Sequence, residues 1–252
     1  MNGRPVNIWM FTRPRPGATY DVSRMFRRSC VLLAAFALAI YGIGAQSFWY
    51  DEVYSVMLSQ RGAASVIRQT ASLDFNTPLH YLMLTAWTAA AGTGEFAARL
   101  LSVCATLVGA ALAAACFKRG RTAALTAVAL SPMLISVAQE ARMYAVVTMF
   151  CTLACVAWLR ATRRNQSRDW LLWAAACVLA FGTHILGAAV FGAQTLAWIA
   201  LWLYRRCAVR SSDRNAYRVP FTASAFAAVP MLAFVAYILS FEIGRASCRE
   251  RV

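Results

Sequence analysis

Three groups of residues carry the chemistry of a reaction centre. Asp51 and Glu52 stand side by side directly behind Phe48-Trp49-Tyr50, Arg99 opens an apolar run, and Glu140 and Arg142 lie two apart between two further runs. The only histidines are His80 and His184. A carboxylate held against apolar walls suits a general base acting on a hydroxyl. Arginines at the end of an apolar run can receive an anion, and a departing phosphate needs positive charge where its negative charge develops. Each group also has a plainer reading. Trp49 and Tyr50 would anchor an interface, with the two acids as solvated loop residues. Arg99 would snorkel toward lipid headgroups, Glu140 would pair with Arg142, and His184 would cap a helix corner. Which reading holds depends on whether the elements bring these residues to one face.

Those elements are apolar. Of 252 residues 60% are hydrophobic and 14% charged, against roughly 45–50% and 25% in a soluble domain. The net charge of +15 would suggest nucleic acid on a soluble protein, but this hydropathy makes the membrane the better explanation. The eight cysteines show no metal-ligand spacing beside a histidine. A membrane helix needs about 20 apolar residues. Seven runs approach that length: about 29–47, 96–117, 122–139, 143–159, 170–184, 187–204 and 219–241. The charge-free stretch from Leu171 to Leu203 is too long for one crossing, and Gly182-Thr183-His184 is its natural corner. Gln139-Glu140-Ala141-Arg142 breaks another run, since two charges at mid-membrane would cost roughly 2.5 kcal/mol or more each.

The shorter run Leu79–Ala91 follows a proline and reads as a surface or re-entrant helix. With it uncrossed, 18 of the 25 bases fall on one side, in four clusters: the amino-terminal tail, 118–121, 160–168 and 205–218. By the positive-inside tendency that side is cytoplasmic. The expected organisation is an all-α, polytopic bundle of seven spans. Residues 1–28 form a basic cytoplasmic tail, 29–241 the transmembrane domain, and 48–95 the first extracytoplasmic loop. Asp51, Glu52, Asp74, Glu95, Glu140 and both histidines then share the outer face.

The order of four blocks, FWYDEVYSV, TPLHYLMLTAWTAAAGTGEFAARLLSV, SPMLISVAQEARMYAVV and FGTHILG, resembles the membrane-embedded glycosyltransferases of the C-type fold. Within them it is similar to the bacterial branch of the dolichyl-phosphate-mannose protein mannosyltransferases (glycosyltransferase family 39-like), which includes the aminoarabinose transferases acting on lipid A. The resemblance spans about residues 30 to 200. It implies an inverting transfer of a sugar from a polyprenyl-phosphate donor to a hydroxyl on a protein, lipid or glycan, at the outer face of the bacterial plasma membrane. By the same resemblance Asp51 is the base and Glu52 its neighbour, and Arg99, Glu140, Arg142 and Tyr144 line the donor site. Relatives carry a cation before the surface helix where this chain has Asn76-Thr77-Pro78, and Arg-Leu-Pro-Ser where it has Arg99-Leu100-Leu101-Ser102. His80, or Arg61 and Arg68, could compensate for the missing cation.

No cofactor is needed for such a displacement, although an Asp/Glu cluster can hold a divalent metal. Relatives usually continue well beyond this length, and residues 242–252 read as a foreign or shortened tail. Two other functional classes fit the same composition: a multi-span transporter or lipid flippase, and a non-catalytic assembly protein of an envelope glycan. Carriers tend to show internal repeats and interrupted helices at the midplane. Here no repeat is evident and the charges lie at the ends of the runs.

Overall fold

The computed structural model describes residues 22–73, 77–117, 119–208 and most of 222–236. The described residues are helices and turns, without a strand. In chain order the helices are α1 (Val22–Ile40), α2 (Tyr50–Ser59), α3 (Ala63–Leu73), α4 (Leu79–Ala91), α5 (Glu95–Ala115), α6 (Arg121–Ala129), α7 (Pro132–Ala138), α8 (Met143–Arg164), α9 (Ser167–Thr183) and α10 (Gly187–Ala208). The basic tail before residue 22, the stretch 209–221 and the terminal residues 242–252 lie outside the described residues, and the run 219–241 lies there in part.

By length and apolar character α5 and α8 can each cross a membrane, and α6 with α7 would make a third crossing if the bent pair is one span. Seven comparable runs were expected, and the differences have local causes. α1 starts at Val22 and stops at Ile40, well ahead of the expected 29–47. Its early arginines are good helix formers, and the turn after it contains Gly42 at φ +69°. The expected 122–139 helix is broken at Ser131-Pro132, where the two halves meet at 58°. Proline lacks the N–H that would bond back one turn and forces the preceding residue into an extended conformation. The loop after Phe48 is itself largely helical, as α2 and α3.

α8 and α9 form a tight hairpin through Asn165, which adopts a left-handed conformation at φ 48°. Trp170, Trp173 and Trp198 pack edge-to-face between α9 and α10, over the small faces of Ala154, Ala157 and Ala161. The expected corner at residues 182–184 is present, with α9 ending at Thr183. α10 can begin where it does only because residue 187 is glycine: a Cβ there would lie 2.4 Å from the Ala180 carbonyl carbon. α5 approaches α8 closely at Gly109, where a Cβ would sit 3.4 Å from the Met149 Cα. Small residues at the contact of two apolar helices permit such approach. α4 is held across α2 and α5, by Thr85 Oγ1 donating to the Ser59 carbonyl at 2.9 Å and Trp87 Nε1 donating to the Ala97 carbonyl at 2.8 Å. The result brings the start of α2, the start of α5 and the α7–α8 corner to one place.

Candidate active site

Glu52 is the centre of that meeting point and has no exposed surface. Arg99 donates to it twice, Nε to Oε1 at 2.9 Å and Nη2 to Oε2 at 2.6 Å. The Ala141 N–H donates to Oε1 at 2.7 Å and the Trp49 N–H to Oε2 at 3.3 Å. The last bond is the carboxylate half of a capping box and explains why α2 starts at Tyr50. Burial pushes the Glu52 carboxyl up, but the Arg99 guanidinium and the two N–H groups outweigh it and hold the carboxyl below its usual range.

Arg99 is equally committed. Its Nη1 donates to the Ile43 carbonyl at 2.5 Å and the Gln46 carbonyl at 2.9 Å, and its Nη2 to the Ser47 carbonyl at 3.3 Å. A guanidinium has five N–H donors, and all five are in use. The Phe48 ring lies 5.4 Å from its Cζ. Arg99 thus ties the α1–α2 turn to α2 and is buried inside the protein rather than snorkelling.

Asp51, the neighbour of Glu52, is partly exposed and ion-paired with Arg142 through Oδ2 and Nη1. Arg142 lies between two rings, its Cζ 5.6 Å from the Trp49 centroid and 5.3 Å from that of Tyr144. Its Nη2 also donates to Tyr144 Oη at 3.2 Å. The Tyr144 ring is 6.2 Å from that of His184, whose Nδ1 accepts the Leu186 N–H at 3.1 Å and so caps the α9–α10 corner.

The Glu140 carboxylate makes no hydrogen bond or ion pair with the described residues, while the residue's N–H donates to the Val137 carbonyl at 3.5 Å. Burial and the neighbouring Glu52 push its carboxyl up, against the pull of Arg142 and Arg99. It borders a cavity of about 590 Å³ walled by Tyr41, Gln46, Ser47, Trp49 and Gln139, with the Glu52–Arg99 pair behind. Gln139 closes one side by donating to the carbonyls of Leu38 at 3.3 Å and Tyr41 at 3.2 Å.

His80 lies in the interior at 1% exposure, and neither ring nitrogen has a hydrogen-bond partner. Burial lowers its pKa to about 4; the Ala141 backbone opposes this and the Arg142 charge adds to it. The imidazole is therefore neutral at physiological pH and has no surface to offer an incoming phosphate.

The structure thus brings all seven candidate residues, Asp51, Glu52, His80, Arg99, Glu140, Arg142 and Tyr144, into one neighbourhood. Among the described residues no three His, Cys, Asp or Glu side chains gather as a metal cage. Sequence reasoning missed three contributors: the Trp49 face on Arg142, the Ala141 N–H on Glu52 and the Gln139 bridge to α1. Trp49 was visible as a belt aromatic, but nothing in its spacing pairs it with a cation 93 residues on. The other two depend on backbone groups, which carry no sequence signal.

Residues 76–237, nearly two thirds of the chain, match the family described as dolichyl-phosphate-mannose-protein mannosyltransferase. The matched segment holds His80, Arg99, Glu140, Arg142 and Tyr144 and begins downstream of Asp51 and Glu52. No curated protein and no solved structure matches the chain. A match over this much of the sequence, in a chain whose described residues are helices and turns and include apolar helices long enough to cross a bilayer, leads to one conclusion: the protein belongs to the dolichyl-phosphate-mannose-protein mannosyltransferase family of membrane glycosyltransferases.

Proposed function

We propose that the chain transfers a sugar from a polyprenyl-phosphate donor to a hydroxyl acceptor on the extracytoplasmic side, with inversion, and that Asp51 is the general base. The observation that carries this reading is the partly exposed Asp51–Arg142 pair, set between the faces of Trp49 and Tyr144. Charge accounting supports the division of labour. Arg99 has every donor occupied, so Arg142 is the cation at this site that can turn to an anionic leaving group. Arg99 and Glu52 then act as positioning residues that fix the start of α2 beneath Asp51.

A donor phosphate docking on Arg142 competes with Asp51 for the guanidinium. Once the phosphate takes the guanidinium, the Asp51 carboxylate regains the lone pairs it needs to accept a proton, so donor binding precedes activation of the acceptor. In the displacement the acceptor oxygen bonds to the anomeric carbon. The bond from that carbon to the phosphate oxygen breaks with its electron pair leaving on the phosphate, and the hydroxyl proton passes to Asp51. Positioning and neutralisation of the leaving phosphate supply the acceleration. The cavity beside Glu140 offers polar and aromatic walls to a hydroxyl-bearing group.

The topology that accompanies this reading has seven spans, with the amino terminus cytoplasmic and the site outside, in a bacterial plasma membrane. The distribution of basic residues supports it. The deciding experiment is transfer from a mannosyl-phosphoryl polyprenol in membranes carrying Asp51→Asn. Transfer should fall at least a thousandfold while membrane insertion is unchanged. Wild-type turnover in that variant would remove Asp51 from the mechanism.

A further inference from the structure

The cavity bordered by Glu140 has the opposite charge character to Arg142 beyond its Trp49 wall. Its charged lining consists of Glu52, Arg99 and Glu140. Glu52 and Arg99 neutralise each other, and every N–H of the Arg99 guanidinium is already donated. What is left over is the Glu140 carboxylate, half-buried and bound to none of the described residues, so the wall repels a phosphate. Gln139 adds a second acceptor, because its Nε2 donates to the Leu38 and Tyr41 carbonyls and Oε1 remains to accept. Gln46, Ser47 and Ser136 extend the polar lining. Trp49 and Tyr41, 50% and 84% exposed, supply the aromatic part.

A ligand suited to these walls carries no negative charge, is rich in hydrogen-bond donors and has an apolar face. A saccharide meets all three conditions: two neighbouring hydroxyls fit the two oxygens of one carboxylate, and the C–H face of a pyranose packs on an aromatic ring. A peptide fits less well. Peptides are captured mainly along a sheet edge or in an apolar groove. The described residues contain no strand, and the Ile43, Gln46 and Ser47 carbonyls at this cavity already accept from Arg99. At about 590 Å³ the cavity lies within the roughly 300–1,000 Å³ of small-molecule sites and exceeds what the single sugar of the donor would fill. Trp49 joins it to the reaction centre, since this residue both lines the cavity and carries Arg142 over its ring. We propose, resting on the transfer reaction assigned to Asp51, that this cavity holds the acceptor and that the acceptor is a carbohydrate: Glu140 accepts from its hydroxyls, Trp49 and Tyr41 pack on its rings, and a further hydroxyl reaches Asp51. Glu140, which the family resemblance places on the donor side, is then a specificity residue for the acceptor.

The test uses the full chain in lipid nanodiscs, detected through a terminal tag and applied without donor to arrays of immobilised oligosaccharides and of serine- and threonine-containing peptides. Binding to oligosaccharides and not to peptides is expected. Glu140→Leu should weaken that binding at least tenfold and Tyr41→Ala several-fold. If Glu140→Leu does not fold, Glu140→Gln takes its place and should weaken binding at least threefold. Binding confined to peptides, no binding to any oligosaccharide, or oligosaccharide binding unchanged by the Glu140 substitution would overturn the proposal. Asp51→Asn should keep the binding while losing transfer, so a failure of the reaction and a failure of the acceptor assignment give different results. Where transfer from a mannosyl-phosphoryl polyprenol to the bound oligosaccharide is also measured, Glu140→Leu should raise the acceptor KM at least tenfold with the donor KM nearly unchanged. A raised donor KM with an unchanged acceptor KM would give the cavity to the donor sugar and refute the assignment.

Discussion

Glu52→Gln is the substitution whose cost follows most directly from the geometry. The wild-type carboxylate is fully buried and accepts four hydrogen bonds, two of them from Arg99. Glutamine keeps the shape but turns one oxygen into a donor, which then faces N–H groups, and it leaves the Arg99 charge without its counter-ion. Breaking a buried pair by removing one partner costs about 3–5 kcal/mol. For a chain of this size each kcal/mol moves the thermal midpoint by roughly 2–4 °C, so a fall of about 10 °C is expected. The measurement is the unfolding midpoint of the detergent-purified protein, followed by intrinsic fluorescence. Arg99→Met should cost a similar amount, since it strands the Glu52 charge and three turn carbonyls. The double variant should be less damaged than the sum of the two by at least about 2 kcal/mol, because neither charge remains. Singles costing under about 1 kcal/mol, or strict additivity, would refute the claim that this pair organises the site.

Three other outcomes follow from the structure. The depressed His80 pKa, about 4 against an ordinary 6.5, means the unfolded chain takes up a proton that the folded chain refuses. The corresponding stability is complete above pH 6.5 and fades as pH falls toward 4, by about 3 kcal/mol at most; denaturant midpoints across that range should fall in the wild type and flatten in His80→Phe. Glu52, whose carboxyl is held down, adds its own loss as pH falls below 4.5. Gly187→Ala should destabilise by about 2 kcal/mol or more, because its Cβ would overlap the Ala180 carbonyl and the α9–α10 corner must shift; a midpoint equal to wild type would contradict that contact. Trp49→Ala should cost about 0.5–2 kcal/mol of the Arg142 cation–π contact, with Trp49→Phe retaining part of it, as double variants with Arg142→Met would measure.

Much of this site could be read from the order of residues. Asp51, Glu52, Arg99, Glu140 and Arg142 all stand at the ends of apolar runs, and in an all-helical bundle run ends on one side meet. The pairing among them could not be read. Glu140 and Arg142 are close in sequence and were natural partners, yet Arg142 pairs with Asp51, because the corner at residues 139–142 docks through the Ala141 N–H on Glu52. The apolar run at 122–139 concealed its break because composition does not register a proline's missing N–H. α2 and α3 read as loop in the sequence because their polar residues mask a short apolar face, with Val56, Leu58 and Val66 buried.

The bonds on Glu52 also impose an order of events on synthesis. Its partners arrive late, Arg99 after 47 further residues and the Ala141 N–H after 89. Until the ribosome has delivered them, Glu52 is an ionised side chain at the exit of the first helix with only the Trp49 N–H and water to satisfy it. The nascent loop must therefore stay hydrated while α5 and the α7–α8 corner are threaded. The site closes only when residue 141 arrives, so a chain stalled before that point would present an open, wet first loop to any protease on that side of the bilayer.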